Sequence, residues 1–292
     1  MRKIAVVGSI NVDMTVKTER IPGKGETLSG TDLKYIPGGK GANQAVAAAR
    51  LGAETRMFGC VGDDDIGRSM LENLQKNGVN TESVKAVQGI PTGLAVITVG
   101  ENDNTIVVVA GANACVSPEY IDGVRERLLE CDIVLLQHEI PQETVEYVAK
   151  LCWKHGIRTV LNPAPARAVS AAMIERVTYL TPNEHEAAII FPGMTVEEIL
   201  RKYPEKVLVT QGEKGVSMCL EDGRILNVPA RKSKVVDTTG AGDTLNGAFT
   251  VQIAEGKSIA EAVDFANTAA GLSTEQFGAQ GGMPTREEVE KQ

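Results

Sequence analysis

The residues best suited to chemistry lie in the segment Asp237–Thr244, which reads DTTGAGDT. Small residues come directly before Asp243 and an apparent helix: Gly240, Ala241 and Gly242. Small residues let several backbone N–H groups point at one ligand, and a helix N-terminus adds partial positive charge. Asp243 would repel a phosphate bound there, but it could take the proton from a hydroxyl that attacks that phosphate. The segment predicts phosphoryl transfer, and the alternative is an ordinary Asp cap after a glycine-rich turn.

A second glycine cluster opens another apparent helix at Gly38–Ala45, which reads GGKGANQA. Its glycines allow close backbone approach to a ligand, and Lys40 and Asn43 can donate hydrogen bonds to hydroxyl oxygens. Asn11 and Asp13 follow the first apparent strand and alternate with apolar residues, so both can point the same way. Together these side chains could bind a polyol. Taken one at a time, each is better explained as a turn residue or a solvated loop residue.

Other common site types fit the sequence poorly. The glycines at 39 and 41, and those at 240 and 242, begin the G-x-G-x-x-G dinucleotide pattern, but the third glycine is absent in both cases. The segment Gly256–Ser258 resembles the end of a Walker A loop, yet Val251 stands where its first glycine belongs. The three histidines have no ligand-like spacing. We therefore do not expect a Rossmann dehydrogenase, a P-loop NTPase, a zinc site or a Ser-His-Asp triad.

Composition restricts the class of protein further. The chain has 292 residues, 42% of them hydrophobic, and a formal net charge of -8 without a Lys/Arg run, which argues against nucleic acid as a partner. The first apolar run, Ile4–Val7, is too short for a signal peptide, and no stretch approaches a membrane span. The five cysteines are scattered and odd in number, without a C-x-x-C pair. We expect a cytoplasmic protein with reduced cysteines and no membrane partner.

Strand-like and helix-like segments alternate along the chain, which predicts one α/β domain over residues 1–292 with a mainly parallel sheet covered by helices on both faces. Short apolar runs predict the buried strands, and apolar positions at helical spacing predict the helices. The predicted strands are 4–7, 56–60, 133–136, 159–161 and 207–209. The predicted helices are 43–51, 66–77, 142–155, 243–254 and 259–273.

Two regions break this alternation. Residues 12–35 and 92–110 have strand-like patterning without a covering helix, and the second contains a hairpin signal around Glu101–Asn104. We expect the two regions to form a small separate sheet that covers the predicted polyol site as a lid. Because its apolar face would need a partner, we also expect it to pair two chains as a homodimer.

Taken together, the two glycine clusters resemble the two signature regions of the ribokinase (phosphofructokinase B-type) carbohydrate kinase family. The resemblance runs over nearly the whole chain and is carried by further motifs in the same order: Gly8–Asp13, Gly59–Asp64, Asn162–Ala166, Thr181–Glu186 and Thr210–Gly215. It implies a three-layer α/β sandwich with a β-sheet lid. Within the family, the form of Gly39–Ala45, with Asn11 and Asp13, resembles members that act on ribose rather than on fructose or adenosine.

The resemblance implies ATP-dependent phosphorylation of D-ribose at O5 and assigns a role to each matching residue. Asp243 would be the general base, and the backbone N–H groups of Gly240, Ala241 and Gly242 would form the anion site. The ribose would be held by Asn11, Asp13, Gly39, Lys40, Asn43 and Glu139. The nucleotide would contact Asn183, Gly242, Asn267 and the segment Thr210, Gln211, Gly212, Glu213, Lys214 and Gly215. Glu186 would act on Mg²⁺ through water.

The resemblance also implies a K⁺ activator, bound mainly by carbonyl oxygens of Asp237, Thr239, Ser273, Gln276, Gly278 and Gly282. The alternative is that Asp237 simply hydrogen-bonds the turn. Two other functions remain open: a kinase of the same family acting on 2-deoxyribose, another sugar or a nucleoside, and a non-catalytic sugar or nucleotide sensor. The stretch from Glu186 to Val207 is short for the family, which leaves the packing on the nucleotide side open.

Overall fold

The structure, a computed structural model, describes residues 2–101 and 103–292. Its strands are β1 (Lys3–Val7), β2 (Asn11–Lys17), β3 (Asp32–Gly38), β4 (Glu54–Gly62), β5 (Asn80–Val87), β6 (Gly93–Gly100), β7 (Asp103–Val109), β8 (Ile133–Leu136), β9 (Arg158–Leu161), β10 (Tyr179–Leu180), β11 (Leu208–Thr210), β12 (Val216–Cys219) and β13 (Ile225–Val228). Its α-helices are α1 (Lys40–Arg50), α2 (Asp65–Lys76), α3 (Pro118–Gly123), α4 (Arg125–Leu129), α5 (Gln142–Lys154), α6 (Ala171–Arg176), α7 (Glu184–Ile190), α8 (Val196–Lys202), α9 (Ala241–Ala254), α10 (Ile259–Ser273) and α11 (Arg286–Glu290).

The centre of the molecule is a parallel sheet in the order β10-β9-β8-β1-β4-β5. Two isolated parallel bridges join its β10 side to the antiparallel sheet β11-β12-β13. Successive residues of β1 point into different cores, because side chains alternate along a strand. Ile4 and Val6 belong to the core that includes α1, α9 and α10, whereas Ala5 and Val7 belong to the core that includes α5. The predicted three-layer sandwich is confirmed.

The strand order reverses between β1 and β8. From β1 the chain continues outward to β4 and β5, and from β8 it continues outward in the other direction to β9 and β10. In open α/β sheets, ligands bind beyond the carboxyl ends of the strands at such a reversal. We therefore expect the ligand site among the residues that follow Val7 and Leu136.

The two segments without covering helices form a separate sheet of their own, in the order β3-β2-β6-β7. This agrees with the sequence prediction, although Asn102 of the predicted hairpin turn lies outside the described residues. We call β2, β3, β6 and β7 the lid sheet. Its outer strands expose large apolar side chains, each between 47% and 64% accessible: Leu33, Tyr35, Ile106, Val107, Val108 and Val109. The lid sheet thus has apolar surface that nothing in the described chain covers.

Each predicted strand and helix of the central layers is confirmed to within a few residues. The predictions omitted β5 and β10 of the central sheet, the β12–β13 hairpin and several short helices. The stretch after Glu186 contains two of these, α7 and α8, on either side of Phe191–Gly193. Among the described residues, no helix combines the length and the apolar character that crossing a membrane requires.

Candidate active site

The ends of β1 and β8 meet at Glu139. Its Oε2 atom accepts a hydrogen bond of 2.6 Å from Ser9 Oγ, which follows β1. The same oxygen accepts a bond of 2.9 Å from the backbone N–H of Lys40, the first residue of α1. One carboxylate therefore joins both strands at the sheet reversal to the glycine cluster, and it brings together the predicted sugar residues Lys40 and Glu139.

Two glycines of the cluster are required by close contacts. Gly39 has φ +86°, and a Cβ there would lie 2.7 Å from the backbone nitrogen of Asn11. A Cβ on Gly38 would lie 2.5 Å from Oδ1 of Asp13. Only glycine permits both approaches, because any larger residue would displace Asn11 or Asp13. The glycines therefore bring the start of α1 against the two polar residues of β2.

The charges in this region are mostly negative. Burial, followed by the charges of Glu139 and Asp243, raises the pKa of Asp13 to about 6, and Lys40 opposes that rise. Asp243 is also the largest influence on Lys40, raising the pKa of its ammonium group while burial opposes it. Four carboxylates thus act on the ammonium group of Lys40: those of Asp243, Glu139, Glu186 and Asp13. Carboxylates accept hydrogen bonds from hydroxyl groups and an ammonium group donates them, so this set suits a polyol.

Asn11 is oriented by a residue that the sequence predictions missed. Asn113, in the 3₁₀ helix that follows β7, donates from Nδ2 to Oδ1 of Asn11 over 2.6 Å. Asn113 Oδ1 accepts from the backbone N–H of Ile10 over 2.8 Å, which fixes the orientation of its own amide. The Oδ1 atom of Asn11 is therefore occupied and its NH₂ group remains for a ligand. No spacing signal identified Asn113, because it lies about a hundred residues from its partner.

Asp243 is buried in the first turn of α9. Its two oxygens accept hydrogen bonds from adjacent residues of α1: Oδ2 from Asn43 Nδ2 at 2.9 Å and Oδ1 from Gln44 Nε2 at 3.0 Å. Burial raises the pKa of Asp243, while Lys40 and the two amides favour the ionised form and oppose the rise. The carboxylate is thus held in a fixed orientation between the two glycine clusters.

Gln44 lies within the glycine-cluster motif, but no role for it was predicted from the sequence. Its Nε2 group donates to Asp243 and, over 3.0 Å, to Oδ1 of Asn162, which follows β9. Its Oε1 atom accepts from Gln137 Nε2 over 2.7 Å. These contacts connect Asp243 to the ends of β8 and β9. Amide side chains without a motif of their own therefore form the support of the candidate base.

The predicted anion site lies at the N-terminus of α9. Gly240 is the N-cap residue with φ +81°, and the first bond of the helix runs from Thr244 N–H to its carbonyl. Helix geometry leaves the N–H groups of the first turn without helical acceptors, although Ala241 N–H reaches the Thr238 carbonyl at 3.2 Å. Gly242 has neither positive φ nor a crowded Cβ position. A glycine there is not required by the protein's own contacts and would suit the close approach of a ligand.

Asn183 and Glu186 form a capping box at the start of α7. Glu186 accepts hydrogen bonds from the backbone N–H of Asn183 at 2.8 Å and from Asn183 Nδ2 at 3.0 Å, and Asn183 Oδ1 accepts from Glu186 N–H at 2.8 Å. Unlike most capping-box residues, Glu186 is buried, and burial raises its pKa while Asn183 and Lys40 oppose the rise. The pair therefore has a structural role that the sequence predictions did not foresee.

The predicted nucleotide segment begins at the end of β11. A bridge pairs Thr210 with Asn183, so the segment lies beside the capping box. Gln211 accepts from Ser217 Oγ at 2.6 Å and donates to Glu184 Oε1 at 3.0 Å, and the short 3₁₀ helix Gly212–Lys214 follows it. Gly215 has φ +91° and closes this turn.

Asn267, in α10, is placed differently from the other nucleotide predictions. Its Nδ2 group donates to the backbone carbonyls of Val228 at 3.1 Å and Pro229 at 2.6 Å. The amide therefore fixes the end of β13, and contact with a nucleotide would use its remaining oxygen.

The two halves of the predicted cation site are in contact. Asp237 accepts hydrogen bonds from the N–H groups of Thr239 and Gly278, each at 2.9 Å. Burial alone would raise the pKa of Asp237, but these bonds lower it. A Cβ on Gly282 would lie 2.0 Å from the Ser273 carbonyl oxygen, so the ends of this loop also meet, whereas Gln276 is exposed. Among the described residues, no group of three or more His, Cys, Asp or Glu side chains is arranged to hold a metal ion.

Comparison with known proteins identifies the family of the chain. Residues 1–286 match the model of the pfkB family carbohydrate kinases. The chain is 51% identical to a ribokinase of Bacillus subtilis (strain 168) over 291 residues, covering 100% of this chain and 99% of the relative.

Solved structures show the same fold. The structure of a Thermotoga maritima ribokinase matches with a TM-score of 0.91 at 39% identity, covering 100% of this chain and 99% of the other. An Arabidopsis thaliana ribokinase, complexed with ribose and ATP, also matches with a TM-score of 0.91, at 35% identity over 99% of this chain and 97% of the other. Because the family model matches residues 1–286 and a relative covers the whole chain at 51% identity, the chain belongs to the pfkB family of carbohydrate kinases, which are ATP-dependent sugar kinases.

Proposed function

We propose that this protein transfers the γ-phosphoryl group of ATP to O5 of D-ribose, giving ribose 5-phosphate and ADP. The observation that carries the proposal is the position of Asp243. It is buried and held by hydrogen bonds from two amides, and it lies in the first turn of α9 near Lys40, one of the residues predicted to bind the sugar. Full-length similarity to ribokinases supports ribose as the acceptor.

The sugar would be held by hydrogen bonds of both polarities. Asp13 and Glu139 would accept from its hydroxyl groups, and Lys40 and the NH₂ group of Asn11 would donate to its oxygens. Asn43 and the backbone of Gly39 complete the predicted set. Because Asn43 also donates to Asp243, it would fix the position of the sugar relative to the base.

Asp243 would act as the general base. The amides of Asn43 and Gln44 favour its ionised form, so the carboxylate can take the proton of the 5-hydroxyl as the O5–P bond forms. The bond between the γ-phosphorus and the bridging oxygen breaks, and ADP leaves. Backbone N–H groups of Gly240, Ala241 and Gly242 would stabilise the negative charge on the transferring group, which is where such donors contribute most.

The nucleotide would lie along Thr210–Gly215, with Asn267 and Asn183 nearby. Mg²⁺ bound with ATP supplies charge neutralisation on the phosphates. Glu186 fits an indirect role, because both its oxygens already accept bonds from Asn183 and a water molecule could bridge the carboxylate to the ion. In this arrangement Asn183 and Glu186 hold the start of α7 and present negative charge to the nucleotide site.

We propose that K⁺ binds between Asp237–Thr239 and the loop from Ser273 to Gly282. The two segments touch, and glycines at 278 and 282 let backbone carbonyl groups converge, which suits a weakly hydrated cation. Ala279 packs against Gly240, since a Cβ on that glycine would lie 2.8 Å from the Ala279 Cα. The role of the ion would be to fix the anion site rather than to contact the sugar.

We propose that the lid sheet closes over the sugar and pairs two chains. Asp13 and Asn11 lie in β2, so one strand of the lid sheet carries part of the sugar site. All seven residues of β7 are exposed, including four consecutive apolar ones, Ile106–Val109. An exposed apolar strand at the edge of a sheet favours association with another chain.

We also propose a cytoplasmic location. All five cysteines are free thiols, and four of them are buried. A protein whose fold contains no disulfide is suited to a reducing compartment.

The decisive experiment replaces Asp243 with Asn and measures turnover on a panel of acceptors. Asp243→Asn keeps the shape of the side chain but removes the base, so we expect kcat for ribose to fall by a factor on the order of 10² to 10⁴ while ribose binding persists. The wild-type panel of ribose, 2-deoxyribose, fructose and adenosine identifies the acceptor by kcat/KM. Near wild-type turnover of the variant would remove Asp243 from the mechanism, and a preference for another acceptor would correct the substrate.

A further inference from the structure

The hydrogen bonds around Asp243 continue beyond its immediate partners. Asn43 donates from Nδ2 to Asp243, so its Oδ1 atom faces the other way, where it accepts from Gln280 Nε2 at 2.9 Å. Gln280 Oε1 in turn accepts from Asn73 Nδ2, in α2, at 2.8 Å. We call Asn73, Gln280 and Asn43 the amide series.

The direction of every bond in the amide series is determined by Asp243. An ionised carboxylate can only accept, so Asn43 must turn its NH₂ group toward Asp243 and its carbonyl oxygen toward Gln280. Gln280 must then donate, which leaves its own oxygen to accept from Asn73. A residue that cannot donate at position 280 would oppose the orientation of Asn43 that Asp243 requires.

Gln280 is well placed to hold Asn43. Both side chains are 6% exposed, so water has little access to replace the bond between them. The backbone of Gln280 is fixed as well, because Arg50 Nη1 donates to its carbonyl oxygen at 2.6 Å. The preceding residue, Ala279, packs against Gly240 of the anion site. Gln280 therefore belongs to a rigid segment that contacts two parts of the active site.

We infer that Gln280 is a positioning residue for Asp243 that acts through the amide of Asn43. It keeps the Asn43 NH₂ group directed at the carboxylate, and so keeps Asp243 oriented toward the sugar hydroxyl. This role rests on the proposed function of Asp243 as the base. Among the described residues, the Gln280 side chain hydrogen-bonds Asn43 and Asn73, whereas the predicted cation ligands of its loop would act mainly through backbone carbonyl oxygens.

The first test compares two substitutions of similar size. Gln280→Met removes the donor and lets Asn43 rotate, so we expect kcat to fall about tenfold, as for a modest misplacement of a catalytic group. Gln280→Glu, assayed at pH 8.5, replaces the donor by an acceptor. Asn43 would then turn its NH₂ group toward the new carboxylate and its oxygen toward Asp243, and we expect kcat to fall by about 10²-fold. Because a buried carboxylate at position 280 would also destabilise the fold, kcat is expressed per folded protein, and a purely structural role then predicts no difference between the two variants.

The second test uses thermal stability, which does not depend on catalysis. Asp243→Asn introduces an amide that can donate to Asn43, whereas Gln280→Glu makes Asn43 present its oxygen to that position. In Asp243→Asn the new NH₂ group opposes the NH₂ group of Asn43, and in Gln280→Glu the new carboxylate opposes the Asn43 oxygen. In the double variant the Asn43 amide turns over, which removes both conflicts. We expect the melting temperature of the double variant to exceed the value for additive effects by about 2 °C or more, although residues 243 and 280 do not touch.

The matched control is Gln252→Met, a buried glutamine nine residues after Asp243 in the same helix. It should leave kcat within about twofold of wild type and should combine additively with Asp243→Asn. The inference is overturned if Gln280→Met and Gln280→Glu both keep wild-type kcat, or if the 243/280 cycle is additive. If Asp243→Asn itself stays active, the proposed base fails instead, so the two failures are distinguishable.

Discussion

Asp13 should make sugar binding depend on pH in a range where an ordinary aspartate would not. Burial and the charges of Glu139 and Asp243 raise its pKa from 3.8 to about 6. If the ionised carboxylate is the form that accepts from sugar hydroxyl groups, only that fraction of the protein can bind. The apparent dissociation constant then equals the intrinsic one divided by the ionised fraction.

The size of the effect follows from this pKa. With a pKa of about 6, roughly nine-tenths of Asp13 is ionised at pH 7 and roughly one-tenth at pH 5, so ribose binding should weaken about tenfold over this range. At the ordinary pKa of 3.8, most of the carboxyl would remain ionised at pH 5 and binding would hardly change. Binding near pH 6 should also release about half a proton, because the sugar selects the ionised form.

Isothermal titration calorimetry of ribose from pH 5 to pH 7.5, in buffers of different ionisation enthalpy, measures both the affinity and the proton release. Asp13→Asn should bind more weakly at pH 7 and lose this pH dependence, with circular dichroism confirming that both proteins are folded at pH 5. A wild-type affinity that stays constant between pH 7 and pH 5, or an equal pH dependence in the variant, would refute the role of Asp13.

The same shift in pKa has a consequence for stability. Since folding raises the pKa of Asp13, the folded protein holds its proton more tightly than the unfolded chain does. Its contribution to the free energy of unfolding therefore falls as pH rises from about 4 to about 6 and stays low above that range. Asp13→Asn should accordingly raise the melting temperature at pH 7 while it weakens ribose binding, a combination that general damage to the fold would not produce.

The proposals on the cation and the lid sheet have tests of their own. Potassium should raise kcat more than it lowers KM for ribose, because the ion would fix the anion site without touching the sugar, and equal activity in potassium, sodium and a bulky organic cation would argue against the site. Light scattering at micromolar concentration should give a dimer that Val107→Glu converts to monomer, since Val107 is 64% exposed on β7; a wild-type monomer would contradict the pairing. Ribose should slow proteolysis of residues 12–35 and 92–110, and cleavage indifferent to ribose would contradict the lid.

The sequence was sufficient for features that depend on local pattern. Buried strands such as Ile133–Leu136 are short apolar runs, and α10 shows helical periodicity between Ser258, its N-cap, and its last residue, Ser273. The glycine clusters pointed to the predicted base, and they located the start of α1 to within three residues, since the helix predicted at 43–51 begins at Lys40. The separate lid sheet could be predicted from the absence of helix patterning beside its strands.

The sequence did not identify the residues that hold the site in place. Gln44, Asn113 and Gln280 contact partners about 100 to 240 residues away, and glutamine and asparagine are common in loops and on surfaces, so their types carry little information. Their roles become visible only when the fold brings the amides together. Glu186 differs from these residues, because its capping box with Asn183 is a local pattern that the sequence contains. It was nevertheless interpreted only through the family resemblance.

One buried atom without a hydrogen-bond partner shows how the charge of Asp243 determines the orientation of the amides around it. Gln137 Oε1 is buried and has no hydrogen-bond partner among the described residues, a situation that costs about 1–3 kcal/mol. Gln137 cannot turn its amide to escape this, because Gln44 presents its oxygen to Gln137 Nε2 and its NH₂ group to Asp243. The unpaired acceptor thus follows from the negative charge at position 243. Apolar side chains at 44 and 137 would remove the unpaired acceptor, but they would also leave Oδ1 of Asp243 without the hydrogen bond from Gln44, so in this fold the hydrogen bond that holds the carboxylate is made together with one unpaired acceptor.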